Sequence, residues 1–215
     1  RSVDKSRQVT KAMETVSAVK MRKAQQRAIA GRPYARAAAS ILARISGAGD
    51  LARHPLTQVR PVTRALYVVV TSDKGLAGAL NSSVLRATLT DIMASGLSRD
   101  SVAIIAIGKK AREFFATRGF ALEVEHNNTD DITAEMINRL VSEISNRFVH
   151  HAFDTVKIAY QHFWSTFEQR PTIRTIFPLS LTELEKVVHD SLPKNRQAEP
   201  QDVIAAPVAY TVEPD

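Results

Sequence analysis

Apolar positions along the first half of the chain follow two different rhythms. In residues 2–46, Val9, Ala12/Met13, Val16 and Val19 recur at steps of three and four, a narrow seam of the coiled-coil kind rather than the broad stripe of a core helix. Lys23 and Gln26 occupy the next seam positions, so the apolar character fades toward the middle of the segment. The segment holds one glycine and one proline among abundant Ala, Lys, Arg, Gln and Met, so it predicts a single long helix. At 1.5 Å per residue such a helix would reach roughly 65 Å, farther than a small domain is wide. Pro33 has no amide proton to donate, which predicts a kink near Gly31-Arg32-Pro33.

Breakers gather between residues 47 and 63 (GAGD, HP, RP), and 47–64 reads as a linker. Beyond it the rhythm changes. Residues 65–72 (ALYVVVTS) and 102–107 (VAIIAI) are continuous apolar runs of strand length, separated by a helical stretch at 81–95. A short helix at 109–118, closed by Gly119, and an extended piece at 120–125 follow. Ile132, Met136, Leu140, Ile144 and Phe148 recur every fourth residue, predicting an amphipathic helix with Thr129, Asp130 and Asp131 available as caps. Val156, Ile158 and Tyr160 alternate as a strand, and Pro171–Ser180 reads as another near a sheet edge.

The β-α-β-α order predicts a Rossmann-like α/β domain over 65–180 with a mainly parallel sheet, preceded by the helical arm of residues 1–46. Residues 181–215 are polar and proline-punctuated and predict an irregular segment with a final short strand at 208–213.

Charge sharpens this division. The net charge of +7 is carried entirely by residues 1–32, which hold nine basic side chains against two acidic ones; the remainder is balanced. A basic helix with a weak apolar seam has three readings: a solvated face, a nucleic-acid arm, or an interaction helix. Its first aromatic is Tyr34, so it offers bases nothing to stack on, and the small residues of its seam suit close approach of another helix. There are no cysteines, which excludes disulfides, zinc–thiolate sites and thiol catalysis. The longest apolar runs are too short to cross a bilayer.

Candidate chemistry centres on VVVTSDKGLAGALNSSV, residues 68–84. A strand running through a glycine-bearing turn into a helix is the setting of a phosphate cradle. The spacing is that of neither known cradle: Gly75-x-x-Gly78 is not GxGxxG, and neither Lys74 nor Gly108-Lys109-Lys110 completes a GxxxxGK[ST] loop. Motif evidence therefore favours a turn made for tight packing over a nucleotide- or phosphate-binding site. No GxSxG, HExxH or paired-carboxylate signature occurs, and the adjacent His150 and His151 read as a helix end rather than a metal site.

The stretch from Val9 to Gln25 (VTKAMETVSAVKMRKAQ) resembles the N-terminal helix of the gamma subunit of F-type ATP synthases. The similarity continues through Arg32-Pro33-Tyr34-Ala35 and resumes at Thr71–Ser82 (TSDKGLAGALNS), where Ala77 stands in place of the family's usual cysteine. It recurs more weakly in Ile107–Lys110 with Phe114-Phe115, in Pro171-Thr172-Ile173, and in Tyr210 and Glu213-Pro214-Asp215. The resemblance implies a central rotor stalk, coupling ion-driven rotation to ATP synthesis or hydrolysis and having no catalytic site of its own. ATP, ADP and Mg would be bound by its partners.

Those partners would be the alpha and beta subunits, an epsilon-type stalk subunit and the c-subunit membrane ring, with no nucleic acid involved. The location implied is peripheral, on an energy-transducing membrane. By the same resemblance Lys11, Met13, Lys20, Met21, Arg22 and Lys23 would belong to the shaft near its bearing. Lys74, Gly75, Leu76, Gly78 and Asn81 would face an acidic loop of the beta subunit. Family members extend at both ends, so the chain is expected to correspond to a gamma subunit without its C-terminal helix.

Overall fold

The structure, a computed structural model, describes residues 2–46, 53–126 and 133–191. Helix α1 spans Ser2–Ser46 and stays helical across Gly31 and Pro33. Its apolar seam is solvent-facing: Val9, Met13, Val16 and Val19 are each more than half exposed. Burial therefore gives this helix little support, and Ala, Lys, Arg and Gln supply it through intrinsic propensity. Thr10 and Thr15 turn their hydroxyls back onto the carbonyls of Ser6 and Lys11.

The α/β unit is built from β1 (Ala65–Val70), α2 (Leu80–Ala94), β2 (Val102–Ile107), α3 (Lys109–Ala116), β3 (Ala121–His126), α4 (Ala134–Val149), β4 (Thr155–Phe163) and β5 (Gln169–Phe177). The sheet order is β3-β2-β1-β4-β5; every pairing is parallel except β4–β5. The mainly parallel, Rossmann-like expectation is met. β5 is one of the two edge strands, and Pro171 is tolerated there.

Both faces of β1 and β2 are covered, which is why those strands read as unbroken apolar runs. Tyr67, Val69, Ile104 and Ala106 pack against Val84, Leu85 and Ile92 of α2 and against Ala111 and Phe115 of α3. On the other face Leu66, Val68, Ile105 and Val156 pack against Ile144 and Phe148 of α4. Phe148 stacks on Phe177 at 5.3 Å between centroids.

The cap of α4 is Thr133, whose side chain accepts the Met136 amide at 3.2 Å, rather than a residue of 129–131. Thr129, Asp130, Asp131 and Ile132 lie outside the described residues. His150 caps the C-terminus of α4, and His151 follows in the left-handed region at φ 59°, so this pair marks a helix end.

The expectation of irregular structure after residue 180 is corrected over its first part, because Leu181–Ser191 forms α5. Leu181, Leu184 and Val187 keep a helical spacing, the Ser180 hydroxyl accepts the Glu183 amide at 3.2 Å, and Pro178 precedes the helix. The strand expected at 208–213 lies outside the described residues.

The linker is also more than a spacer where it is described. Pro55–Thr57 forms a 3₁₀ turn, and the Leu179 amide bonds to Leu56 O at 2.8 Å. Arg60 stacks on the Phe148 ring, donates to the carbonyls of Phe148 and Phe153 at 3.0 and 3.1 Å, and meets the His151 ring. Asp154 receives the amides of Thr63 and Arg64, both at 2.9 Å, and the Thr63 hydroxyl at 2.6 Å.

Candidate functional site

The turn after β1 is organised from beneath by two polar side chains. Asn81, in the first turn of α2, accepts the Ser72 amide at 2.9 Å and donates to the Ser72 hydroxyl at 2.8 Å; that hydroxyl in turn donates to Lys74 O at 2.6 Å. Residues 74–79 beyond these bonds are exposed. Leu76 stands at the top, fully exposed and at φ 61°, a backbone region that a leucine enters only at a cost. Gly78 is also left-handed, at φ 57°.

Tight packing is not what the glycines provide, and that expectation is corrected. A Cβ on Gly75 or Gly78 would meet nothing within 4 Å. The close approach falls on Gly108, where φ is 102° and a Cβ would stand 2.2 Å from Thr71 O. Around that contact the start of α3 is fastened to the turn. Asp73 accepts the Lys109 amide at 2.8 Å, Ser72 O accepts the Lys110 amide at 3.3 Å, and Thr71 Oγ1 accepts the Ala111 amide at 2.9 Å.

Those three amides are the ones a helix N-terminus offers to a phosphate, and here each is already bonded within the chain. Asp73 brings a carboxylate to the position where a phosphate would have to sit. The other ligand position of such folds is the crevice where the strand order reverses, between β1 and β4. Ser83 and Gln161 bridge between α2 and β4 beside it, at 3.2 Å. The start of α3 is therefore closed to a phosphate by the chain's own groups.

The residues expected to contact partners divide between the two parts of the chain. Lys74, Gly75, Leu76 and Gly78 are gathered on the exposed turn, whereas Asn81 is half-buried and holds the turn's shape. Lys11, Met13, Lys20, Met21, Arg22 and Lys23 lie along the exposed surface of α1. Consecutive residues on a helix point about 100° apart, so Lys20 through Lys23 encircle α1 rather than form one face.

Sequence reasoning missed the cations that the fold brings to the turn: Lys109 and Lys110, with Arg112 one position beyond Ala111. Their sequence signal is the GKK run after β2, which does not complete a phosphate motif. Glu113 lies 3.7 Å from Lys109 and 3.0 Å from Lys110, and the Lys110 hydrogen bond, with both lysine charges, holds its carboxyl below the ordinary value. Also unforeseen was the polar junction under α2, where Asp91 accepts the Tyr67 hydroxyl at 2.6 Å and the Lys157 ammonium at 2.7 Å. Burial, followed by the bond and charge of Asp91, pushes the Tyr67 hydroxyl well above its ordinary value.

Fold and turn together define a doubly wound α/β subunit carrying a long basic helix. A family model described as ATP synthase matches residues 1–214. The ATP synthase gamma chain of Brevibacillus brevis is 35% identical over 204 residues, covering 87% of this chain and 71% of its own length. That of Heliobacterium modesticaldum is 33% identical over 180 residues, covering 83% of this chain and 61% of its own length. The chain belongs to the ATP synthase gamma-chain family, and spans 61% to 71% of the length of these relatives. In fold it is similar to a chain in the central stalk and c-ring structure of the Tetrahymena thermophila mitochondrial ATP synthase, with a TM-score of 0.63 at 23% identity, covering 84% of this chain and 77% of the other.

Proposed function

We propose that this chain serves as the central-stalk rotor subunit of a proton-translocating ATP synthase, coupling rotation of an ion-driven ring to ATP synthesis or hydrolysis without a catalytic site of its own. The observation that carries this reading is the family match across residues 1–214. The occupied amides at the start of α3 are consistent with it, since they leave nucleotide chemistry to other subunits. The partners are the alpha and beta subunits, an epsilon-type stalk subunit and the c-subunit ring; ATP, ADP and Mg are held by those partners. Its place is peripheral, on an energy-transducing membrane, and among the described residues no helix is long and apolar enough to cross one.

The mechanism is mechanical. A stiff asymmetric shaft presents different faces to otherwise equivalent catalytic sites, and rotation shifts each site's affinity in turn. Such a shaft biases a site only through contacts that differ between its orientations. The exposed cations of α1 and of the β1–α2 turn supply contacts of that kind.

Co-expression with the alpha and beta subunits of the same organism tests the assignment. A stable assembly whose ATPase activity depends on this chain is expected. Absence of any complex, or saturable micromolar ATP binding by the isolated chain in calorimetry, would overturn it.

A further inference from the structure

We propose that the α/β unit carries a lipid-facing surface at the end of the sheet where the parallel strands begin, and that arginines held there bind the headgroups of an anionic bilayer. The proposal goes beyond the rotor reading, which sets the chain on a membrane without saying which of its surfaces meets lipid.

β1, β2, β3 and β4 start level with one another: Ala65 is in register with Val102 and Thr155, and Ala103 with Ala121. The segments that lead into them, residues 53–64, 95–101, 117–120 and 150–154, therefore share one end of the sheet, opposite the β1–α2 turn. They hold Arg53, Arg60, Arg64, Arg99 and Arg118 against two acids, Asp100 and Asp154, although the chain beyond residue 32 is balanced overall. Asp154 is turned onto the amides of Thr63 and Arg64. No lysine lies in these segments. The planar fork of arginine matches a phosphate with two parallel hydrogen bonds, which an ammonium group does not.

These arginines are fixed without being neutralised. Arg60 lies 4.3 Å from the Phe148 ring centroid and Arg118 3.5 Å from that of Phe114. Arg118 also donates to the Phe114 carbonyl at 3.0 Å, and Arg64 to the His151 carbonyl at 2.9 Å. Rings and carbonyls hold a guanidinium but leave its charge in place. Among the described residues none of the five forms a salt bridge, although Arg60 is near enough to Asp154 to help hold its carboxyl below the ordinary value.

Val59 and Val62 stand on either side of Arg60, 84% and 47% exposed. Apolar side chains set between arginines suit the boundary of headgroups and acyl chains, where both kinds find partners. A nucleic acid fits less well, because the Phe114 and Phe148 rings are already stacked with arginines rather than open to a base.

The chain has no cysteine, so Val59→Cys and Lys74→Cys each provide a single attachment point for an environment-sensitive fluorophore, at opposite ends of the sheet. Vesicles of phosphatidylcholine with about one third phosphatidylglycerol should shift the label of Val59→Cys to the blue, and pure phosphatidylcholine should not. The label of Lys74→Cys should stay as it is in water. Adding Arg64→Gln, Arg99→Gln and Arg118→Gln to Val59→Cys should raise the lipid concentration at half-shift about fivefold per arginine, an effect that shrinks as salt rises. The basic helix α1 can attach the chain to an anionic vesicle by itself, which the labels detect. Sedimentation with vesicles but no shift at Val59→Cys, or equal shifts at both labels, would overturn the proposal. So would an unchanged half-shift in the arginine variant, or a shift drawn by poly-glutamate and not by the vesicles, which marks an acidic protein partner. No partner subunit enters the measurement, so each of these results leaves the rotor reading intact.

Discussion

Gly108 lies so close beneath Thr71 that a Cβ added to it would stand 2.2 Å from the Thr71 carbonyl oxygen, and its φ of 102° is one that residues with a Cβ rarely adopt. Both obstacles involve backbone, so neither yields to a rotamer change. Gly108→Ala should cost about 2–4 kcal/mol, measured by urea unfolding. Gly75→Ala should cost far less, because a Cβ there meets open space. Equal losses at the two positions would mean that the turn is not anchored through Gly108.

Asp91 is the shared acceptor between α2 and the sheet. Asp91→Ala would strand the hydroxyl of the buried Tyr67 and leave Lys157 without its carboxylate, at a cost of about 2–3 kcal/mol. Asp91→Asn keeps an acceptor oxygen and removes the charge, and should cost about 1 kcal/mol. Urea midpoints of the two variants separate the hydrogen bond from the ion pair.

How much of this was legible in the sequence depended on the range over which each feature is determined. β1, β2 and the periodic face of α4 are local patterns, and their boundaries fall within a residue or two of the expected ones. The long N-terminal helix was legible for the same reason: Ala, Lys, Arg and Gln favour helix wherever it sits. What escaped depends on residues far apart in sequence. Asp73 caps a helix that begins at Lys109, Arg60 clasps the end of α4, and Tyr67 meets Asp91 and Lys157 from three different elements. Gly75 and Gly78 have the look of a phosphate turn in sequence, yet a Cβ on either would meet open space. Gly108, without a second glycine, is where close approach requires the residue.

Asp154 should leave a signature in acid. Partial burial works to raise its carboxyl, but the hydrogen bonds from the Thr63 hydroxyl and the amides of Thr63 and Arg64, with the Arg60 charge, outweigh it and hold the group below its ordinary value. The unfolded carboxyl takes up its proton first as pH falls, so the stabilisation is complete above about pH 4 and is lost as pH drops through the lowered folded value. Thermal unfolding of wild type and Asp154→Asn between pH 6 and pH 2 checks this. The variant should be less stable near neutrality, and the difference should shrink toward the acid end. A difference that stays constant with pH would assign the effect to packing rather than to charge.

Leu76 offers a test in which stability and binding should part company. Its left-handed backbone costs of order 1 kcal/mol, which glycine would not incur, but glycine also loses more chain entropy on folding, by a comparable amount. Leu76→Gly should therefore leave the urea midpoint nearly unchanged. The side chain is fully exposed in the free chain, so whatever apolar burial it provides arises only in a complex. Burying a leucine contributes about 1.5–3 kcal/mol, and its removal should speed dissociation from the alpha–beta ring by roughly tenfold or more without altering the salt dependence of association. Leu76→Asn, which tolerates the left-handed region and keeps a side chain of similar size, separates shape from apolarity: if apolar burial is the source, it should dissociate about as fast as the glycine variant. Wild-type dissociation rates for both variants would mean that Leu76 stays in solvent and that the cations of the turn act without it.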